Sequence, residues 1–153
     1  MVWKPRVTVA IVTEQNGRFL VVEENVPDGI RFNQPAGHLE DNECLAAAAV
    51  RECREETAWR FEPEALVGIY RWRNARNGDT FLRATFCGTC DDHRPDQGLD
   101  PDIVATHWLT FEQIRQREAQ LRSPLVIRSF NDYRQGKRYP LDLLVDLPPD
   151  TGT

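Results

Sequence analysis

The sequence has no apolar stretch long enough to span a membrane, and no signal-type apolar core follows its first residues, because Thr13-Glu14-Gln15 soon interrupts Val7–Val12. The default compartment is therefore the cytoplasm, with no membrane partner expected. There is no long basic run, and the formal net charge is −5, which argues against a nucleic-acid surface and leaves a small phosphorylated ligand open. Neither G-x-S-x-G nor a P-loop lysine motif occurs, so nothing supports a serine hydrolase or a P-loop NTPase. Internal repeats and low-complexity linkers are absent as well. The four cysteines are irregularly spaced, and a chain of 153 residues is large enough to fold without disulfide staples. Cys87-Gly-Thr-Cys90 is a lone C-x-x-C with His93 nearby, but structural zinc needs four ligands and no second pair stands at suitable spacing. In a strand, residues 87 and 90 point to opposite faces, so two strand cysteines are expected there.

What is present is the composition of a soluble globule, 41% apolar and 28% charged. One domain over 1–147 is expected, followed by a loose tail, Pro148 to Thr153. Val7–Val12 reads as a buried strand, Gln15-Asn16-Gly17 as a turn and Phe19–Val22 as the returning strand of a hairpin. Asn25–Gly29 reads as a loop. Phe32-Asn33-Gln34-Pro35-Ala36 then leads into Gly37, with the proline and glycine aiming the backbone rather than continuing a strand. Glu62-Pro63-Glu64 breaks the pattern, and Leu66–Trp72 and Thr80–Cys90 read as a second strand pair around Asn77-Gly78-Asp79. A polar loop, Asp91–Asp102, precedes a strand at Val104–Leu109. Thr110-Phe-Glu-Gln113 has the form of a capping box. Ser123-Pro124 places an N-cap before a proline at the first helical position, starting a helix to about Gln135 that Gly136 closes. Strand pairs mixed with helices give an α/β domain with a mixed sheet.

The most informative stretch is Gly37–Trp59. No proline or internal glycine interrupts Cys44–Glu56, and its four alanines favour helix, with Asp41 or Asn42 as N-cap. At about 100° per residue, Leu45, Ala46, Ala49, Val50, Cys53 and Thr57 form an apolar stripe. Glu52, Glu55 and Glu56 share the neighbouring face, where three carboxylates repel unless a divalent cation sits among them. Ala48 and Ala49, one turn earlier, are small and leave room for a ligand. An E-x-x-E-E alone is usually a solvated face, and Arg51 has Glu55 four residues on. Six identities in fixed register (Gly37, Glu43, Arg51, Glu52, Glu55, Glu56) are another matter: at ordinary residue usage they recur by chance on the order of 10⁻⁷ per starting position.

The stretch resembles the Nudix box, G-x5-E-x7-R-E-U-x-E-E-x-G-U with U a bulky apolar residue. Cys53 and Trp59 stand at the two U positions. Ala58 replaces the family's glycine, which puts the turn after the helix in question. Three further segments, F-N-Q-P-A-G-H-L-E, L-R-S-P-L and Q-G-K-R-Y-P-L, resemble a phosphatase subgroup of the family over about Lys4–Leu147.

The resemblance implies an α/β/α sandwich with a mixed sheet and a loop-helix-loop active-site motif. It implies a Mg²⁺-dependent hydrolase of diphosphate bonds, with Mn²⁺ as a substitute, acting on a small phosphorylated molecule. For the subgroup, that means terminal phosphate from nucleoside di- and triphosphates, thiamine diphosphate or hydroxymethylpyrimidine diphosphate. Cleavage of internal diphosphates, or a non-catalytic nucleotide-sensing module, is the alternative. A monomer or a homodimer is expected. The metal ligands carried over are the Gly37 carbonyl, Glu52, Glu55 and Glu56. Glu52 is the first choice of base, Glu55 shares the site, and Arg51 holds the glutamates while pairing with Glu43. Asp100 and Asp102 precede a strand where such enzymes often bring an extra acid, and Asp102 is the candidate ligand. Candidate substrate contacts are Asn33, Gln34, Arg71, Trp72 and Arg83, the arginine-flanked tryptophan being equally readable as core. Arg122, Lys137 and Arg138 are within the range of possible phosphate contacts but default to solvated charge. His38, His93 and His107 are read as non-catalytic.

Overall fold

The computed structural model describes residues 1–150 and 152. Strand β1 (Arg6–Gln15) is rich in β-branched residues and turns through Asn16 and Gly17, both at positive φ, into β2 (Arg18–Val26), pairing Gln15 with Arg18. Two positive-φ residues in a two-residue turn match the right-handed twist of the flanking strands. The segment expected as a loop at Asn25–Gly29 is instead a tight hairpin. Val26 pairs with Gly29 across Pro27-Asp28, and β3 (Gly29–Asn33) returns along β2. Likewise Ala36–His38 does continue a strand. This β4 lies antiparallel to β1, with Thr8 opposite His38 and Ala10 opposite Ala36.

Helix α1 spans Leu45–Thr57. Its N-cap is Cys44, without a side-chain cap bond, and not Asp41 or Asn42. The intervening residues form a turn in which Asn42 takes φ 61 and the Glu43 carboxylate accepts from the Glu40 amide at 2.8 Å. Ala58 ends the helix in the left-handed region, φ 64, and its amide donates to the Arg54 carbonyl at 3.0 Å. The family's glycine turn is thus kept with alanine in it.

Strand β5 (Arg60–Arg73) runs straight through Pro63, where a break was expected. Proline is tolerated because β5 is the edge strand and its register shifts at Pro63/Ala65. It pairs antiparallel with β6 (Thr80–Asp91). After the 92–102 loop come β7 (Ile103–Leu109), α2 (Phe111–Gln116) and α3 (Pro124–Arg134). The capping box at Thr110/Gln113 forms, the Ser123 hydroxyl accepts from the Leu125 amide, and Gly136 follows α3 at φ 85. Residues 148–150 are exposed and outside any element; Thr151 and Thr153, part of the expected tail, lie outside the described residues.

The sheet has the order β3-β2-β1-β6-β5, with β4 joined to β1 and β7 to β2. β1 and β6 pair in parallel, so the sheet is mixed. On one face α1 buries Ala48, Ala49 and Cys53 against Val9, Ile11, Phe61 and Phe86. On the other, Val126 and Phe130 of α3 meet Val12, Phe19 and Val67. The result is an α/β/α sandwich. Cys90 belongs to the first core and Cys87 to the second, as strand alternation requires, and all four cysteines are free. His93 stacks on Trp59 at 4.5 Å between ring centroids. Ala48 and Ala49, expected to leave ligand space, are both fully buried core residues. Among the described residues no helix is long and apolar enough to cross a membrane.

Candidate active site

Helix α1 presents its acids where β4 ends. Arg51 organises them. Its Nε and Nη2 donate to the two Glu43 oxygens at 3.0 and 2.7 Å, and Nη1 donates to Glu52 at 2.7 Å and Glu55 at 3.1 Å. Nη2 also reaches the His38 carbonyl at 3.0 Å, tying α1 to β4. These bonds hold the Glu43 carboxyl below its usual range and the Arg51 guanidinium above its own.

Glu52 and Glu56 are buried, at 9% and 6% exposure, and Glu55 is half-buried. Burial raises the Glu52 carboxyl, with Arg51 opposing and Glu55 and Asp100 adding repulsion. Burial pushes Glu56 up to about 9, although its carboxylate accepts from the Ala36 amide at 2.8 Å. Such acids are costly to ionise among themselves, and a cation relieves the cost. Oxygens of Glu52, Glu55 and Asp100 lie within 4.8 Å of one another. Three hard oxygen donors on a cavity wall suit a divalent cation. Asp100 is delivered by its loop, whose Asp100 amide donates to the Glu55 carbonyl at 3.0 Å. Gly37 has a steric reason to be glycine: a Cβ there would overlap the Glu52 carboxylate.

The acids border a cavity of about 680 Å³. Its sheet side carries Arg6 and Thr8 from β1, Phe81 and Arg83 from β6 and Trp72 from β5; Ser123 and Leu125 contribute from the start of α3. Trp72 and Phe81 stack at 5.6 Å, forming an aromatic wall. Asn33 donates to Glu24 at 3.4 Å, and Arg122 lies 3.6 Å from the same carboxylate. Burial raises the Glu24 carboxyl, Arg122 and Asn33 opposing. Burial and the charges of Arg6, Arg83 and Arg122 lower His38.

The structure thus brings together Gly37, Glu52, Glu55 and Glu56 with Asn33, Trp72 and Arg83. It corrects three expectations. Gln34 is wholly buried and donates to the Ile11 carbonyl at 3.3 Å, so it belongs to the core. Arg71 is exposed and faces away from the cavity, since side chains alternate along β5 and Trp72 faces in. Asp102 lines the cavity, but Asp100 and not Asp102 completes the carboxylate cluster. Of the possible phosphate contacts, Arg122 lines the cavity, whereas Lys137 pairs with Asp132 at 3.2 Å and Arg138 lies over the Tyr133 ring. Thr8 and Glu24 escaped the sequence reading. Their signal was a polar residue inside an apolar strand and an acid at a strand end. His38 also lines the cavity.

Comparison with known proteins adds three findings. The NUDIX domain model matches residues 3–130. The chain is 42% identical over 144 residues to Phosphatase NudJ of Escherichia coli K12, covering 94% of this chain and 93% of the relative; the protein of that name from Shigella flexneri matches equally. Among solved structures, a NUDIX hydrolase from Nitrosomonas europaea superposes with a TM-score of 0.91 at 49% identity, covering 94% of this chain and 98% of that one.

Proposed function

The chain belongs to the NUDIX family and is a Nudix hydrolase; from there we propose that, with Mg²⁺, it releases the terminal phosphate of nucleoside di- and triphosphates, thiamine diphosphate or hydroxymethylpyrimidine diphosphate. The observation that carries this reading is the Glu52–Glu55–Asp100 cluster on the wall of a cavity that also holds Trp72, Phe81 and Arg83. Full-length similarity to Phosphatase NudJ supports the terminal-phosphate form of the reaction.

Glu52, Glu55 and Asp100, with the Gly37 carbonyl and Glu56 behind them, would hold the cation. Bound there, it supplies charge neutralisation at the phosphate oxygens and polarisation of water. Manganese suits the same oxygen donors. Glu52 accepts the proton of the attacking water. The water oxygen bonds to the terminal phosphorus, the bridging P–O bond breaks, and the shortened phosphate leaves with the bridging oxygen. Arg51 keeps Glu52 and Glu55 aimed while Glu43 keeps Arg51 in place. Asn33, Trp72 and Arg83 contact the substrate.

A second reading, cleavage of an internal diphosphate, is favoured by one observation. A second cavity of about 590 Å³, bordered by Leu121, Pro124 and Ile127, shares Trp72, Asn74 and Arg122 with the first. Product analysis with Mg²⁺ on GTP, ADP, thiamine diphosphate, a sugar nucleotide and a dinucleotide polyphosphate separates the two. Inorganic phosphate from the first three is the expected result. Pyrophosphate or internal cleavage products would replace it with the second reading.

A further inference from the structure

Strand register places His38, Thr8 and Arg83 side by side across β4, β1 and β6, and Arg6, Phe81 and Trp72 in the next row. These rows form the cavity's sheet side. Its cations are not equivalent. Arg51 is saturated with acceptors, Arg6 pairs with Asp79 at 2.9 Å, and Arg122 has Glu24 at 3.6 Å. Arg83 alone among them has no ion pair among the described residues, yet it is only 6% exposed. Its Nε donates to the Thr8 hydroxyl at 3.3 Å, and its buried Nη1 has no hydrogen-bond partner. Burial lowers its pKa to about 10, which leaves it charged at neutral pH. The two acids that act on it from a distance are engaged elsewhere, Glu24 with Asn33 and Arg122, Glu56 with the Ala36 amide. A buried guanidinium without a contacting carboxylate is costly unless an anion completes it.

We propose that the anion is a second phosphoryl group of the substrate: one phosphoryl group sits at the Glu52–Glu55–Asp100 cluster and the next over Arg83, so that Arg83 sets the preference for diphosphates over monophosphates. This rests on the hydrolase reading above and deepens it. Thr8 orients the guanidinium from below. A monophosphate product and orthophosphate each fill one pole only, and both leave.

The test measures binding rather than turnover. Methylenediphosphonate and methylphosphonate carry two phosphoryl groups and one, with no ring to confuse the comparison. Calorimetry with the whole chain and Mg²⁺ gives the affinity ratio between them. Arg83→Met should lower affinity for the diphosphonate about 10- to 100-fold, the worth of a charge-assisted bond, and leave the monophosphonate within about twofold. Arg83→Lys should restore part of the ratio. A folded Arg83→Met protein with the wild-type ratio would overturn the proposal and assign discrimination to cation chelation alone. Equal losses for both probes would overturn it too, as a structural role. Should the methionine variant not fold, the wild-type guanidinium resonances decide. The Arg83 side-chain N–H signal, identified by its loss in Arg83→Lys, should shift on titration with diphosphonate and not with monophosphonate; a signal indifferent to both sinks the idea. A wild-type chain that binds the diphosphonate through Arg83 and hydrolyses nothing keeps this proposal and removes the hydrolase reading.

Discussion

Helices α1 and α3 cover opposite faces of one sheet, and each carries an arginine bonded to an acid four residues on, Arg51–Glu55 and Arg128–Asp132. Their acids have opposite fates. Burial would raise Asp132, but the Tyr70 hydroxyl at 2.8 Å, Arg128 at 3.0 Å and Lys137 at 3.2 Å together hold it below its usual range. Glu52 and Glu56 of α1 are raised, since their partners do not offset their burial and mutual repulsion. The helix ends differ as well. α3 begins with a Ser123 cap and is followed by glycine at positive φ, whereas α1 lacks a side-chain cap and ends on alanine at positive φ. An acid with all its bonds made is fastening. An acid held short of them, on a less favourable helix, is kept for a ligand.

Four substitutions or conditions put that contrast under load. The largest effect is expected from Glu52→Gln: with excess Mg²⁺, phosphate release should fall about 10³-fold, within the range for loss of a general base. The metal-free melting temperature should not fall, because a repelling charge has gone. Near-normal turnover would remove Glu52 from the chemistry. Asp132→Ala should do the reverse, costing about 1–3 kcal/mol in urea melts by leaving the part-buried Tyr70 hydroxyl without its acceptor, while turnover per folded molecule is unchanged.

Third, the two helices should respond to pH with opposite signs. Glu56, raised from 4.5 to about 9, stabilises the metal-free protein fully below pH 4.5, and that contribution is lost as pH rises toward 9. Asp132, lowered from 3.8, contributes above that value and is lost as pH falls through its folded pKa. Metal-free melts of Glu56→Gln and Asp132→Asn across pH 3–9 check both; parallel pH profiles would erase the distinction. The smallest effect is Ala58→Gly. Relief of roughly 1–2 kcal/mol of left-handed strain, less roughly 0.5–1 for glycine's chain entropy, gives about 0.5 kcal/mol of added stability, with activity unchanged. A loss of stability would mean the buried Ala58 methyl contributes more than its backbone costs.

Much of this was legible before any coordinates. The box helix, the Asn16-Gly17 hairpin, the Thr110 capping box and the Ser123-Pro124 start all follow from local chemistry, and local chemistry decided them. The misreadings arise where tertiary context overrides it. Pro63 looked like a strand end because edge position and a bulge are not visible in sequence. Asn42 is a good cap residue spent instead on a positive-φ turn, where asparagine is also favoured. Gln34 and Asn33 are neighbours with identical hydrogen-bonding groups, yet Asn33 ends β3 facing the cavity while Gln34, just past the strand, turns into the core. The choice between Asp100 and Asp102 depended on a loop amide finding the end of α1, a contact across 45 residues.

The parallel seam between β1 and β6 carries a consequence for how the molecule comes to exist. The β1–β2 and β5–β6 hairpins close locally, but Thr8 meets Arg83 across 75 residues, with the whole box helix lying on the crossover between them. Parallel pairing of that span has no short turn to nucleate it, and it bears the loop-closure entropy of everything in between. The two hairpins can therefore form while the seam is open, and the cavity floor exists only once it closes. A nascent chain emerging from synthesis carries the acids of α1 well before Arg83, but Asp100 emerges after both, so the cation cluster and the substrate cavity are completed together, late in the life of the growing chain.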